Sequence, residues 1–83
     1  MDEMNTREAV AGRIRELCRQ HDITPNGLSN LAGVPQATVK SILNGESRNP
    51  GIVTIKKLCD GLDITLEEFF STEAFNSLGQ EIQ

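Results

Sequence analysis

Apolar residues recur at helical spacing along the 83-residue chain, in short segments separated by turn signals. The first segment runs from about Thr6 to His21. Its apolar positions fall at i, i+4, i+7 and i+8 and are Val10, Ile14, Leu17 and Cys18. Polar and charged residues occupy the other faces, which predicts an amphipathic helix with one side toward a core.

A second helix is predicted from Thr24 to Gly33. Thr24 is a favoured N-cap residue, and Pro25 suits the first helical position because the N–H that proline lacks has no intrahelical partner there. The apolar positions expected to face inward are Leu28, Leu31 and Ala32. Gly33 tolerates the positive φ that often ends a helix, so we expect the helix to stop there.

A third helix of about nine residues follows, opened by Val34-Pro35 and extending through Asn44 to a terminating Gly45. Its apolar positions are Val39, Ile42 and Leu43. Only a tight turn centred on Gly33-Val34 separates the second and third helices, so they must cross at a steep angle. The sequence therefore predicts a helix-turn-helix.

The rest of the chain predicts two more helices and a tail. The fourth helix follows a polar loop, and its apolar positions are Ile52, Ile55, Leu58, Cys59 and Leu62. Asp63, which tolerates the left-handed conformation, stands where a terminating glycine is common. Thr65 to Glu68 fits a capping box that opens a short fifth helix ending at Phe69-Phe70. We expect an all-α, five-helix domain over residues 1–70, followed by a tail over residues 71–83 that is flexible or an accessory helix.

Composition excludes several classes of protein. Apolar residues make up 37% of the chain, too many for obligate disorder, yet no window approaches the roughly 20 apolar residues of a membrane span. The segment Met1 to Asn5 does not resemble a secretory signal, so we expect a cytoplasmic protein with no membrane contact. Cys18 and Cys59 lack the spacing of a zinc site or a disulfide framework and indicate reduced core thiols.

Catalytic chemistry is not indicated by any motif. The chain has one histidine, His21, no Gly-rich phosphate loop and no cluster of metal-ligand residues. A domain of this size also leaves little room for an enclosed cofactor cavity. We expect no enzyme, no metal and no small-molecule cofactor, and a function in surface binding.

The segment from Thr24 to Gly45 resembles the helix-turn-helix of the XRE family, which includes Cro and the phage repressors. The likeness rests on Gly33 in the turn, Val34 after it and the aliphatic residues of the third helix, and it extends over residues 7 to 70. The resemblance implies a compact, lambda-repressor-like domain, of the kind found in bacterial and phage regulators. It implies a transcriptional repressor that binds double-stranded DNA as a homodimer on a pseudo-palindromic operator.

The third helix is expected to turn a polar stripe outward. Residues at i, i+4 and i+8 share one side of a helix, which groups Gln36 with Lys40 and Asn44. Gln36 suits a paired hydrogen bond to adenine, and Lys40 can reach guanine O6 and N7. Ala37 can touch a thymine methyl group. In the family, the positions that match Gln36, Ala37, Lys40 and Ser41 are the usual base readers.

Phosphate contacts are expected around this helix, because they fix the register of a protein on DNA rather than its sequence preference. The candidates from helix starts and the loop are Thr24, Asn26, Arg48, Asn49 and the backbone N–H groups near Thr54. The resemblance adds the positions that match Thr38 and Asn44.

Two residues depart from the family pattern and alter the expected phosphate contacts. Pro25 replaces a glutamine that often binds phosphate at the start of the second helix. Leu43 stands where a glutamate often pairs with the first-helix arginine that Arg15 matches. Arg15 is therefore free to bind phosphate or another acid.

Charge argues against strong non-specific DNA binding. The net charge is −4, and only residues 23–51, which contain the motif, are positive, by one charge. We expect a shallow dependence of binding on salt. The arginines expected on a solvated face of the first helix are Arg7, Arg13 and Arg19. The alternative function is a protein-interaction module of the same fold, such as an antitoxin or regulatory subunit, whose acidic C-terminal half binds a partner. We further expect dimer contacts from Phe69, Phe70 and Phe75.

Overall fold

Six α-helices joined by short turns make up residues 4–82, the part of the chain that the computed structural model describes, and this part contains no strand. They are α1 (Thr6–Gln20), α2 (Pro25–Ala32), α3 (Gln36–Leu43), α4 (Ile52–Leu62), α5 (Leu66–Phe69) and α6 (Glu73–Asn76). The predicted all-α class is confirmed, and α1 to α5 correspond to the five predicted helices. The sixth helix lies in the segment expected to be flexible or an accessory helix.

Side-chain caps explain where α2 and α5 begin. Thr24 Oγ1 accepts a hydrogen bond from the Gly27 backbone N–H at 3.0 Å, as predicted for the start of α2. Thr65 Oγ1 accepts from the Glu68 N–H at 3.0 Å, and the Glu68 carboxylate accepts from the Thr65 N–H at 3.1 Å. The predicted capping box of α5 is therefore present, with both donors satisfied.

Two residues in the left-handed conformation end α2 and α4. Gly33 has φ 66° and ψ 30°, and Asp63 has φ 57° and ψ 44°. Both were predicted as terminators, since glycine and aspartate accept this conformation more readily than most residues. The first of these turns sends the chain directly into α3.

One apolar core joins α1 to α5. The most deeply buried large side chains are Phe69, Ile14, Leu28, Leu58, Val39 and Cys59. α2 packs closely on α4, and a Cβ atom built on Gly61 would lie 3.1 Å from Ala32 Cα. Burial raises the pKa of both free thiols, Cys18 and Cys59. Within residues 4–82, no helix has the length and apolar character needed to cross a bilayer.

Leu31, which was predicted to face the core, is exposed, and so is Ile52, one of the apolar positions that mark the fourth helix. Leu31 is 62% exposed because Leu28, Ser29 and Ala32 form the inner side of α2, and Leu31 lies about 100° from the centre of that side. Ile52 is 58% exposed because it is the first residue of α4, one turn before Ile55 enters the core. The inward assignment of Leu31 was wrong.

Arg13 also departs from the prediction of a solvated arginine on α1. Its side chain is only 10% exposed, since the guanidinium lies against the end of α5. Helical periodicity alone does not reveal such a contact, because the partners are backbone carbonyl groups of another helix. Arg13 is therefore part of the α1–α5 packing rather than of a solvated face.

Three phenylalanines close one side of the bundle. The ring centroids of Phe69 and Phe70 are 4.8 Å apart, and those of Phe70 and Phe75 are 4.9 Å apart. Phe69 is fully buried, which contradicts its predicted role as a dimer contact. Phe70 and Phe75 are partly buried and pack on the core, so α6 is held to the domain through Phe75.

Candidate nucleic-acid interface

The turn between α2 and α3 is built on Ser29. The backbone N–H groups of Gly33 and Val34 both donate to the carbonyl oxygen of Ser29, the second of them at 3.1 Å. The Ser29 hydroxyl, 2% exposed, donates in turn to the Val34 carbonyl oxygen at 2.5 Å. These bonds fix the direction in which the chain leaves α2 and therefore the direction of α3.

α3 has an apolar inner side and a polar outer side. Val39 and Ile42 are 1% and 2% exposed and belong to the core. Three of the four predicted base-contacting residues, Gln36, Ala37 and Lys40, are exposed, and Ser41 is half-buried. The predicted orientation of the helix, with its polar stripe toward solvent, agrees with this arrangement.

A depression of about 270 Å³ lies where α1, α2 and α3 meet. The predicted site residues that line it are Asn26, Gln36, Lys40 and Asn44. Asn26 belongs to the first turn of α2, Gln36 and Lys40 share one side of α3, and Asn44 is the C-cap residue of α3. This part of the surface offers amide groups and one ammonium group, all of which can bind base edges or phosphate.

The opposite flank of α3 carries Ala37, Thr38 and Ser41, which line a second depression with Glu46 and Ser47. The loop after α3 folds back here, since the Glu46 N–H donates to the Ser41 carbonyl oxygen at 2.9 Å. The sequence analysis did not single out Glu46. Its negative charge lies beside two predicted base readers and Thr38, so it weakens the phosphate contact predicted for Thr38.

The remaining predicted phosphate contacts lie around α3 rather than on it. Thr24 caps α2 through its hydroxyl oxygen, so its hydroxyl proton is still available to donate. Arg48 and Asn49 line a separate depression of about 550 Å³ that also includes Arg7. Thr54 is half-buried in the first turn of α4, a helix whose start has no side-chain cap. The described surface thus gathers some of the predicted residues and leaves Arg48 and Asn49 apart from them.

Arg15 also lies at the site, and the sequence predicted only that it is free to bind phosphate or another acid. Its guanidinium Nη2 donates to the Leu43 carbonyl oxygen at 2.8 Å, and its side chain lines the same depression as Lys40. No carboxylate within residues 4–82 lies within 4 Å of this guanidinium. The leucine at position 43 gave this signal in the sequence, because the missing glutamate leaves Arg15 without its usual partner.

A helix-turn-helix whose second helix presents a polar side to solvent is typical of small DNA-binding domains. The chain belongs to the Cro/C1-type HTH DNA-binding domain family, whose model matches residues 13–74. The match confirms the predicted family and extends to α6. This is a family of DNA-binding domains and not of enzymes, in agreement with the sequence analysis.

Two known proteins are similar to this chain. One is the uncharacterized HTH-type transcriptional regulator RghRB of Bacillus subtilis (strain 168), which is 36% identical over 59 residues, or 71% of this chain. The match spans only 42% of that relative's length. The other is the crystal structure of the prophage Lp1 protein 11, with 37% identity and a TM-score of 0.79. That likeness covers 90% of this chain and the whole of the solved chain.

Proposed function

We propose that this protein binds double-stranded DNA in a sequence-specific way, with α3 in the major groove, and that it regulates transcription as a repressor in the cytoplasm. The observation that carries the proposal is the division of α3 into a buried side, with Val39 and Ile42, and an exposed side, with Gln36 and Lys40. The major groove admits an α-helix, and glutamine and lysine have groups that bind adenine and guanine edges. The regulator RghRB of Bacillus subtilis, to which the chain is similar, supports the role in transcription.

In this proposal Gln36, Ala37, Lys40 and Ser41 contact bases. Phosphate contacts come from residues at the edges of α3 and in the flanking turns, namely Thr24, Asn26, Thr38, Asn44, Arg48, Asn49 and Thr54. Asn26 and Asn44 are favoured because they share the depression that contains Gln36 and Lys40. Arg48 and Asn49 line a different depression, so they bind DNA only if the sugar-phosphate backbone of the DNA also passes over the loop after α3.

The proposed DNA-bound form is a homodimer on a pseudo-palindromic operator. Exposed apolar side chains provide a reason for self-association, since Leu31 is 62% exposed and Val53 is 67% exposed. A dimer places two copies of α3 in successive major grooves, about 34 Å apart. Equilibrium sedimentation with and without DNA measures the stoichiometry directly.

The experiment that tests the function is selection of bound sequences from a random duplex pool at fixed salt. It compares the wild-type protein with Gln36→Ala combined with Lys40→Ala. A matched control combines Gln80→Ala with Lys57→Ala, which removes the same side-chain types from exposed positions off α3. We expect an enriched, two-fold symmetric motif that the control keeps and that the α3 variant loses or changes.

A second function, protein interaction by the same fold, is favoured by the acidic C-terminal part and the exposed Leu31, Ile52 and Val53. Residues 52–83 carry a net charge of −4. If the folded wild-type protein enriches no sequence even at low salt, the DNA-reading proposal is wrong. An antitoxin-like or regulatory-subunit role then becomes the better explanation.

A further inference from the structure

α3 has no side-chain cap at its N-terminus. Pro35, at the N-cap position, makes no side-chain hydrogen bond, and at the other end Asn44 uses its backbone N–H. An isolated helix of eight residues is unstable in water, so its position depends on contacts with other helices. The contacts at its two ends therefore decide where α3 lies.

Side chains from α1 and α2 reach carbonyl groups at both ends of α3. The Ser29 hydroxyl donates to the carbonyl oxygen of Val34, two residues before the helix, and the Arg15 guanidinium donates to the carbonyl oxygen of its last residue, Leu43. Carbonyl groups in the last turn of a helix have no intrahelical donor. A cation there also interacts favourably with the helix dipole.

Ser29 is the one buried polar side chain among the described residues. Burial of a hydroxyl costs free energy unless it is hydrogen-bonded, and alanine would fill nearly the same space without that cost. The specific contribution of the serine is therefore its bond to Val34. That bond joins the carbonyl group of Val34, two residues before the start of α3, to the middle of α2.

We propose that Ser29 and Arg15 are positioning residues that fix the two ends of α3 relative to α1 and α2 and thereby determine how accurately it reads bases. The inference rests on the proposed function, because it concerns the presentation of Gln36 and Lys40 to DNA. N–H···O hydrogen bonds span only about 2.7–3.2 Å between heavy atoms, so small displacements of α3 break paired base contacts. Phosphate contacts carry no sequence information and depend less on this alignment.

The test compares Ser29→Ala and Arg15→Gln with the wild-type protein. Affinity is measured for the selected duplex and for an unrelated duplex at the same salt concentration. We expect the ratio of the two affinities to fall about five-fold in each variant, the typical effect of one lost hydrogen bond. Asn30→Ala, on the exposed side of α2, and Lys57→Gln, which removes a positive charge on α4, are the controls and keep the wild-type ratio.

A structural role alone gives a different result. It lowers the folded fraction, which thermal denaturation measures, and reduces both affinities by the same factor without changing their ratio. If Arg15 acts only by binding phosphate, Arg15→Gln leaves the ratio unchanged and reduces the slope of log K against log salt by about 0.9. Either result overturns the positioning role of the residue concerned.

The outcomes also separate this inference from the proposed function. A wild-type motif that depends on Gln36 and Lys40, with unchanged ratios in Ser29→Ala and Arg15→Gln, leaves base reading intact and overturns the inference. A wild-type protein that is folded but selects no sequence overturns both.

Discussion

Arg13 in α1 donates from Nε to the backbone carbonyl oxygen of Phe69, the last residue of α5, at 2.7 Å. The same guanidinium donates from Nη2 to the Glu68 carbonyl oxygen at 2.7 Å and from Nη1 to the Glu16 carboxylate at 2.6 Å. α5 has only four residues, so this one side chain satisfies much of its C-terminal end. Arg13 thereby fastens the last core helix to the first.

Replacing Arg13 by methionine is expected to lower the free energy of unfolding by about 2 kcal/mol, because two carbonyl groups lose a charged donor while the apolar part of the side chain is kept. Chemical denaturation measures the change. Arg19→Met, at an exposed position of the same helix, serves as the control and should change stability by less than about 0.5 kcal/mol. Equal effects of the two substitutions would contradict the packing role of Arg13.

Glycines 12 and 61 are expected to respond oppositely to alanine. A Cβ atom on Gly12 in α1 meets nothing within 4 Å, so Gly12→Ala should stabilise the protein by about 0.5–1 kcal/mol through helix propensity. A Cβ atom on Gly61 lies 3.1 Å from both the Cα and the N of Ala32, and α2 cannot yield without disturbing the core. Gly61→Ala should therefore cost about 1 kcal/mol net. Thermal or denaturant unfolding of both variants checks the signs, and stabilisation by Gly61→Ala would refute the close packing of α2 on α4.

The turn before α3 depends on the backbone conformation of Gly33 and not on space. No atom lies within 4 Å of a Cβ built there, but φ is 66°. Gly33→Ala should lower the free energy of unfolding by about 1 kcal/mol, and Gly33→Asn by less, because asparagine accepts the left-handed conformation more readily. If denaturation gives equal losses for the two variants, steric crowding rather than φ is responsible.

The buried thiols predict a pH dependence of stability at alkaline pH. Burial is the main cause that raises the pKa of Cys18 and of Cys59, and neighbouring Asp60 adds to the effect at Cys59. Below about pH 8.5, the ordinary pKa of a thiol, both states of the chain keep these protons. Above it the unfolded chain loses them first, so the free energy of unfolding falls as pH rises toward the folded-state values.

The contribution of the two buried thiols to the pH dependence of stability is measured by urea unfolding between pH 7 and pH 10. The comparison is with Cys18→Ala combined with Cys59→Ala, which is less stable at neutral pH because cavities are formed. Its free energy of unfolding should fall less steeply with pH than that of the wild type. Parallel curves would show that the thiols do not contribute.

DNA binding is expected to depend only weakly on salt, because few cations lie near the predicted site. The slope of log K against log salt is about −0.9 per phosphate neutralised, so a magnitude below about 4 per protomer is expected. Arg48→Gln should reduce it by about 1 if the loop after α3 contacts the backbone, while Lys57→Gln on α4 should not. A slope typical of eight or more ion pairs would contradict the expectation.

Features with a local cause were predictable from the sequence. Thr65 with Glu68, Gly33 and Asp63 act through their own backbone conformation or through hydrogen bonds three residues away, so a short stretch of sequence is enough to identify them. Leu31 was misplaced because the choice between the two sides of α2 is decided by packing on α4. α6 has four residues and depends on the contact of Phe75 with the core, which periodicity does not report.

The candidate site also has features that the sequence predicts and features that it does not. The exposed side of α3, with Gln36 and Lys40, follows from helical spacing once Val39 and Ile42 are assigned to the core. Tertiary contacts decide the rest. Leu43 in place of a glutamate indicates that Arg15 lacks its usual partner, but not that it donates to a backbone carbonyl group. The path of the loop, which places Arg48 on another depression, is likewise not predicted by spacing.

The separation of buried and exposed positions on α3 has an evolutionary consequence. Val39 and Ile42 are buried in the core, whereas Gln36, Ala37 and Lys40 are exposed to solvent. Mutations at the exposed positions can therefore accumulate at little energetic cost to folding. If these three residues read bases as proposed, related proteins can acquire different DNA sequence preferences through substitutions there while the core stays unchanged.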